Sequence, residues 1–144
     1  MTTDQIIEIF EKFVPFDEMD AENDNILFLY ELTDLLVANG DGEKAIAPIF
    51  QMMEKYPEVD FGSPGPLVHT IEKFRGSYEI YLYESLQRKP TSLTVWMLNR
   101  IINSENEPGR KSDLIEMLRS LLESPVINDE TRESIQGFIN FQSR

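Results

Sequence analysis

Apolar residues recur at helical spacing along most of the chain, and the strict alternation of a half-buried strand is scarce. Ile6, Ile9, Phe10 and Phe13 make a first stripe, with Thr2 and Gln5 spaced as a capping box ahead of it and Pro15 behind it. Phe28, Leu32, Leu35 and Leu36 form a second stripe, which stops at Asn39-Gly40, a pair suited to a left-handed C-terminal cap. Asp41 is placed to cap a third helix carrying Ile46, Ile49, Phe50 and Met53. Residues 56–65 hold two prolines and two glycines and no helical period, so they read as the one long loop. At its end, Ser63 and Pro64 have the order of a cap and first helical residue for a fourth helix through Leu67, Val68, Ile71 and Phe74.

A fifth helix carries Tyr78, Tyr81, Leu82 and Leu86 and stops at Lys89-Pro90. Thr91 caps a sixth, apolar almost all round through Leu93, Val95, Trp96, Met97, Leu98, Ile101 and Ile102, which predicts a central, buried helix with Trp96 inside. Leu114, Leu118, Leu121 and Leu122 mark a seventh helix ended by Pro125, and Asn128 caps an eighth carrying Ile135, Phe138 and Ile139. The expectation is a single all-α domain over residues 1–144, about eight helices in stacked hairpins resembling HEAT repeats; a plain helical bundle is the alternative.

Charge adds a direction to this picture. Residues 1–60 hold fifteen Asp or Glu against three Lys or Arg, whereas residues 61–144 hold eleven against ten, so nearly all of the net charge of −13 lies at one end. Such a one-sided field draws in a basic partner and repels nucleic acid and anionic membranes. With no cysteine, disulfides, thiolate zinc sites and a cysteine nucleophile are excluded. No stretch approaches the length of an apolar membrane span, and the N-terminus lacks the basic and apolar regions of a secretion signal, so a cytoplasmic protein is expected.

Catalysis finds little support. His69 is the only histidine, and nothing near it in sequence resembles a nucleophile with an orienting acid. No cofactor and no metal site is expected. The best local match to a known site is Asp20 to Glu31, which places oxygens of Asp20, Glu22, Asp24 and Glu31 at positions one, three, five and twelve of an EF-hand loop. Asn25 stands where that loop needs glycine, Glu22 where it prefers a shorter side chain, and Pro15 interrupts the entering helix. An acidic turn leading into an amphipathic helix is the simpler account. The loop Asp60-Phe61-Gly62-Ser63-Pro64-Gly65-Pro66 lacks the lysine and glycine spacing of a phosphate loop and reads as a rigid turn, with Phe61 stapled against the next helix. Tyr78 and Tyr81 share a stripe with Leu82 and Leu86 and are expected in the core, while Tyr83 lies off it as a surface candidate.

The runs Phe61-Gly62-Ser63-Pro64-Gly65-Pro66-Leu67-Val68, Glu84-Ser85-Leu86-Gln87-Arg88-Lys89-Pro90-Thr91 and Trp96-Met97-Leu98-Asn99-Arg100 resemble a family of small, acidic, all-helical bacterial proteins of polymorphic toxin systems, where they act as cognate immunity proteins. The resemblance spans roughly residues 43–140 and includes no catalytic signature. It implies a HEAT-like helical fold and one task, binding and blocking a toxin domain. Joined to the charge, it leads to a non-enzymatic inhibitor of a basic toxin, expected to be a nuclease. The partner contacts expected from exposure and charge are Asp17, Glu18, Asp20, Glu22, Asp24, Glu58, Asp60 and Tyr83. A calcium-responsive protein using Asp20 to Glu31, and a general helical adaptor, are the alternatives.

Overall fold

The computed structural model describes all of residues 1–144 and is entirely helical, with no strand. Its helices are α1 (Thr3–Lys12), α2 (Asn25–Val37), α3 (Ile46–Lys55), α4 (Gly65–Glu72), α5 (Glu79–Arg88), α6 (Ser92–Ser104), α7 (Pro108–Ser120) and α8 (Asp129–Gln142). Short 3-10 turns, Gly42–Ala45 and Leu121–Glu123, precede α3 and follow α7. No helix is long and apolar enough to cross a membrane. The chain divides into two compact units, Met1–Tyr81 and Leu82–Arg144.

In the first unit α1 packs on α3 and α2 on α4. Helix α1 forms where its stripe and caps agree: Thr2 Oγ1 accepts from the Gln5 N–H, and the Gln5 side chain accepts from the Thr2 N–H at 2.8 Å, the reciprocal capping box. Ile6 and Phe10 are fully buried, and Phe13 closes the helix. In α2 the buried stripe is Leu29, Leu32, Thr33 and Leu36, while Leu35, expected inside, is 47% exposed. The stripe is therefore rotated from the expected one, because the face covered by α4 decides which of several leucines is inside.

Three expected caps are absent. Asn39-Gly40 does not adopt a left-handed cap; α2 ends on right-handed Ala38, and the Asn39 amide donates to Met1 O and Thr3 Oγ1, tying the end of α2 to the start of α1. Asp41 caps no helix. Its carboxylate accepts from the Thr3 hydroxyl and pairs with Lys44, and these two contacts, the hydroxyl first, hold it below the usual carboxylate range. Ser63 likewise does not cap α4, whose N-cap is Pro64, with a cis Ser63–Pro64 peptide and positive φ at Gly62 and Gly65.

In the second unit α6, α7 and α8 each pack on the other two. Thr91 and Thr94 form the capping box of α6, and Asn128 caps α8 as expected. Helix α7 is capped by a residue outside the expected set: Glu107 accepts from the N–H groups of Gly109 and Arg110 at 3.0 and 2.6 Å. Helix α6 buries Val95, Met97, Leu98 and Ile102 together with Thr94 and Asn99. Trp96 is only half-buried, with the Arg100 guanidinium 4.8 Å from its ring centroid, so the helix is not enclosed on all sides. The all-α class stands. HEAT-like stacking is not confirmed by these contacts, since α6, α7 and α8 cluster mutually.

Candidate binding surface

The charge asymmetry maps onto the two units. The first carries seventeen acidic and five basic residues, net −12; the second carries nine and eight, net −1. Within the first unit, two acidic segments leave the helical core: residues 16–24, between α1 and α2, and residues 56–64, between α3 and α4.

An aromatic cluster fastens both. Phe13 stacks on Phe28 with centroids 5.8 Å apart, Phe28 meets Phe16 edge-on at 5.7 Å, and Phe13 also meets Tyr56 and Phe61 at 6.2 and 6.5 Å. Hydrogen bonds lock the same residues. The Tyr56 hydroxyl donates to Phe13 O at 2.8 Å. Asn25 grips the backbone of Phe16 at both ends, its Oδ1 accepting from the Phe16 N–H at 2.7 Å and its Nδ2 donating to Phe16 O at 3.2 Å. Phe16 thus anchors the first acidic segment, and Phe61, 2% exposed, anchors the second on the same cluster. None of these pairings has a sequence signal, because the rings come from segments far apart in the chain; Asn25 is further masked by its place beside the helix-capping Asp24.

The expected contact residues divide by chemistry. All four aspartates do local work. Asp17 accepts from the Met19 N–H at 2.8 Å, Asp24 caps α2 by accepting from the Leu27 N–H at 2.9 Å, and Asp60 accepts from the Gly62 N–H at 2.9 Å. Asp20 accepts from the Glu22 and Asn23 backbones and from the Asn23 side-chain amide; that amide first, then the two N–H groups, holds its carboxyl below the usual range. The glutamates differ: Glu18, Glu22 and Glu58 are exposed, and their carboxylates engage in no hydrogen bond or ion pair. All seven carboxylates lie in the first unit, on the two segments that the aromatic cluster ties together.

Tyr83 is the remaining expected contact residue. It belongs to the second unit and is half-buried with its hydroxyl oxygen buried, whereas Tyr81, expected in the core, is 38% exposed. The roles expected of these two tyrosines are therefore exchanged in exposure; Tyr78 is buried as expected. His69 is exposed on α4.

The EF-hand spacing is dismantled by the fold. Helix α2 begins at Asn25, position six, so the later positions rise along a helix instead of wrapping a cation, and Asp24 is turned to its cap. No group of three or more His, Asp or Glu side chains is placed to hold a metal ion.

An open groove of about 420 Å³ lies beside the first acidic segment. Its apolar lining is Ile9, Phe13, Val14, Phe16 and Phe28, with Gln5, Glu8 and Lys12 of α1 along the rim. No protein-family model, curated protein or solved structure matches the chain.

Proposed function

We propose that the chain is an immunity protein that binds a basic toxin domain in the cytoplasm, a nuclease being the best fit, and blocks it without catalysis. The observation that carries this reading is the confinement of net charge −12 to the first unit, where two acidic segments are held on one aromatic anchor. A nuclease needs a basic cleft for phosphates, and an acidic surface of fixed shape can fill that cleft in place of the nucleic-acid backbone. Rigidity matters because a surface ordered before contact loses less entropy on binding. The aspartates give the segments their shape, and the unengaged Glu18, Glu22 and Glu58 are the charges most free to pair with a partner.

The test follows from that division. Reversing the aspartates would damage turns and a cap, so the informative variant is Glu18→Lys, Glu22→Lys and Glu58→Lys together. With a toxin domain encoded beside this chain, the association rate at low salt is expected to fall by about tenfold or more, and its salt dependence to flatten. Far-UV circular dichroism should stay unchanged, since exposed charges add little to stability. Equal association rates for the triple variant and the wild type would overturn the proposal.

A further inference from the structure

Charge draws a partner in but does not explain the groove beside it. Soluble proteins keep few apolar concavities open to water, and at 420 Å³ this one lies within the range of ligand clefts, about 300–1,000 Å³. Its form is local in origin. Pro15 stops α1, the chain reverses, and the Asn25 amide pins Phe16 so that its ring closes the groove against Phe28. Val14, part of the lining, is 71% exposed. Met19 and Leu27, on the two segments that continue from the groove, are 89% and 60% exposed. An exposed methionine makes an adaptable apolar contact.

The surrounding charges specify the occupant. On the rim, Glu8 and Lys12 pair at 2.6 Å and cancel, so the rim itself is neutral. Lys12 is the only basic residue among residues 1–24, which hold eight carboxylates, and Asp17 and Glu18 follow Phe16 directly. A second copy of this chain would bring its own net charge of −13 against that surface. The fitting occupant is therefore basic around an apolar anchor.

We propose that the groove formed by Ile9, Phe13, Val14, Phe16 and Phe28 is the socket for a cationic amphipathic segment of the partner protein, which inserts a large aliphatic or aromatic side chain between flanking Lys or Arg residues. The inference rests on the function proposed above for the sign of the partner's charge, and adds where the affinity comes from. Carboxylates set the rate of encounter; the socket sets how long the complex lasts.

The experiment uses the full chain and a short synthetic amphipathic helix of Lys and Leu bearing a fluorophore. Two control peptides accompany it, one with Ser in place of Leu and one with Glu in place of Lys. The Lys/Leu peptide should bind saturably, the Lys/Ser peptide about tenfold or more weakly, and the Glu/Leu peptide not at all. Val14→Lys, a change at an exposed position, should weaken Lys/Leu binding by about tenfold, whereas Gln51→Lys, the same charge change at an exposed position of α3 outside the groove, should weaken it less than about threefold.

Equal binding of the Lys/Leu and Lys/Ser peptides, or equal effects of the two lysine variants, would overturn the socket and leave the acidic surface as the whole contact. A dimer of this chain that Val14→Lys converts to monomer would also overturn it, with a second copy as the occupant. The two proposals fail separately. A toxin domain slowed by the glutamate reversals yet released equally fast from Val14→Lys and wild type removes the socket alone; saturable Lys/Leu binding without toxin binding removes the toxin reading alone.

Discussion

Replacing Gly62 by alanine tests whether the second acidic segment is held by a close backbone approach. Gly62 has φ of +105°, and a Cβ built there would come within 2.5 Å of Gly65 Cα and 3.0 Å of Gly65 N. A left-handed conformation costs an L-residue about 1–2 kcal/mol, and forcing extra volume against packed atoms adds about 1–3 kcal/mol, so Gly62→Ala should destabilise by about 2–5 kcal/mol. Gly65→Ala separates the two causes. It also has positive φ, +84°, but nothing lies within 4 Å of its added Cβ, so only the conformational cost of about 1–2 kcal/mol remains. Gly40→Ala, with neither positive φ nor a neighbour within 4 Å, should be neutral or stabilising by up to about 1 kcal/mol through a less flexible unfolded chain.

Guanidinium denaturation followed by far-UV circular dichroism would give the three differences, and Trp96 fluorescence would report on the second unit alone. Coincident transitions by both probes would justify a single free energy. The same variant should affect function, because Gly62 donates to Asp60 and follows the buried Phe61 that anchors the segment. Gly62→Ala no worse than Gly65→Ala would refute the reasoning, since the close approach would then carry no cost.

Two further predictions concern carboxylates. Glu107 is held below the usual range, first by the Arg110 N–H and then by the Gly109 N–H. A depressed folded value means stabilisation present above the unfolded pKa of about 4.3 and lost as the pH falls through the folded value, so Glu107→Gln should flatten the acid side of the stability curve; denaturation midpoints that run parallel from about pH 2 to 5 would refute it. Calcium at about 1 mM should leave calorimetry and melting unchanged, because Asp24 caps α2 and Asp20 is engaged with its own turn; saturable binding lost in Glu31→Gln would show the opposite.

The residues by themselves determined the all-α class, the number of helices and the caps at Thr2, Thr91 and Asn128, because helical period and capping act over a single turn of chain. They also determined that the charge is one-sided. Where a cap had a rival, sequence reasoning failed: Asp41 is drawn away by Thr3, and Asn39 by Met1 and Thr3, partners remote in the chain. Only the tertiary structure decided which face of a doubly apolar helix is inside, so Trp96 is half-covered, Leu35 faces water, and Tyr81 is more exposed than Tyr83. The division of the acidic residues into shape-giving aspartates and unengaged glutamates was equally invisible, because a carboxylate's role depends on which N–H groups the turn points at it. The aromatic cluster shows this most fully: rings from the end of α1, from α2 and from two loops converge because burial area accrues between segments that only the folded chain brings together.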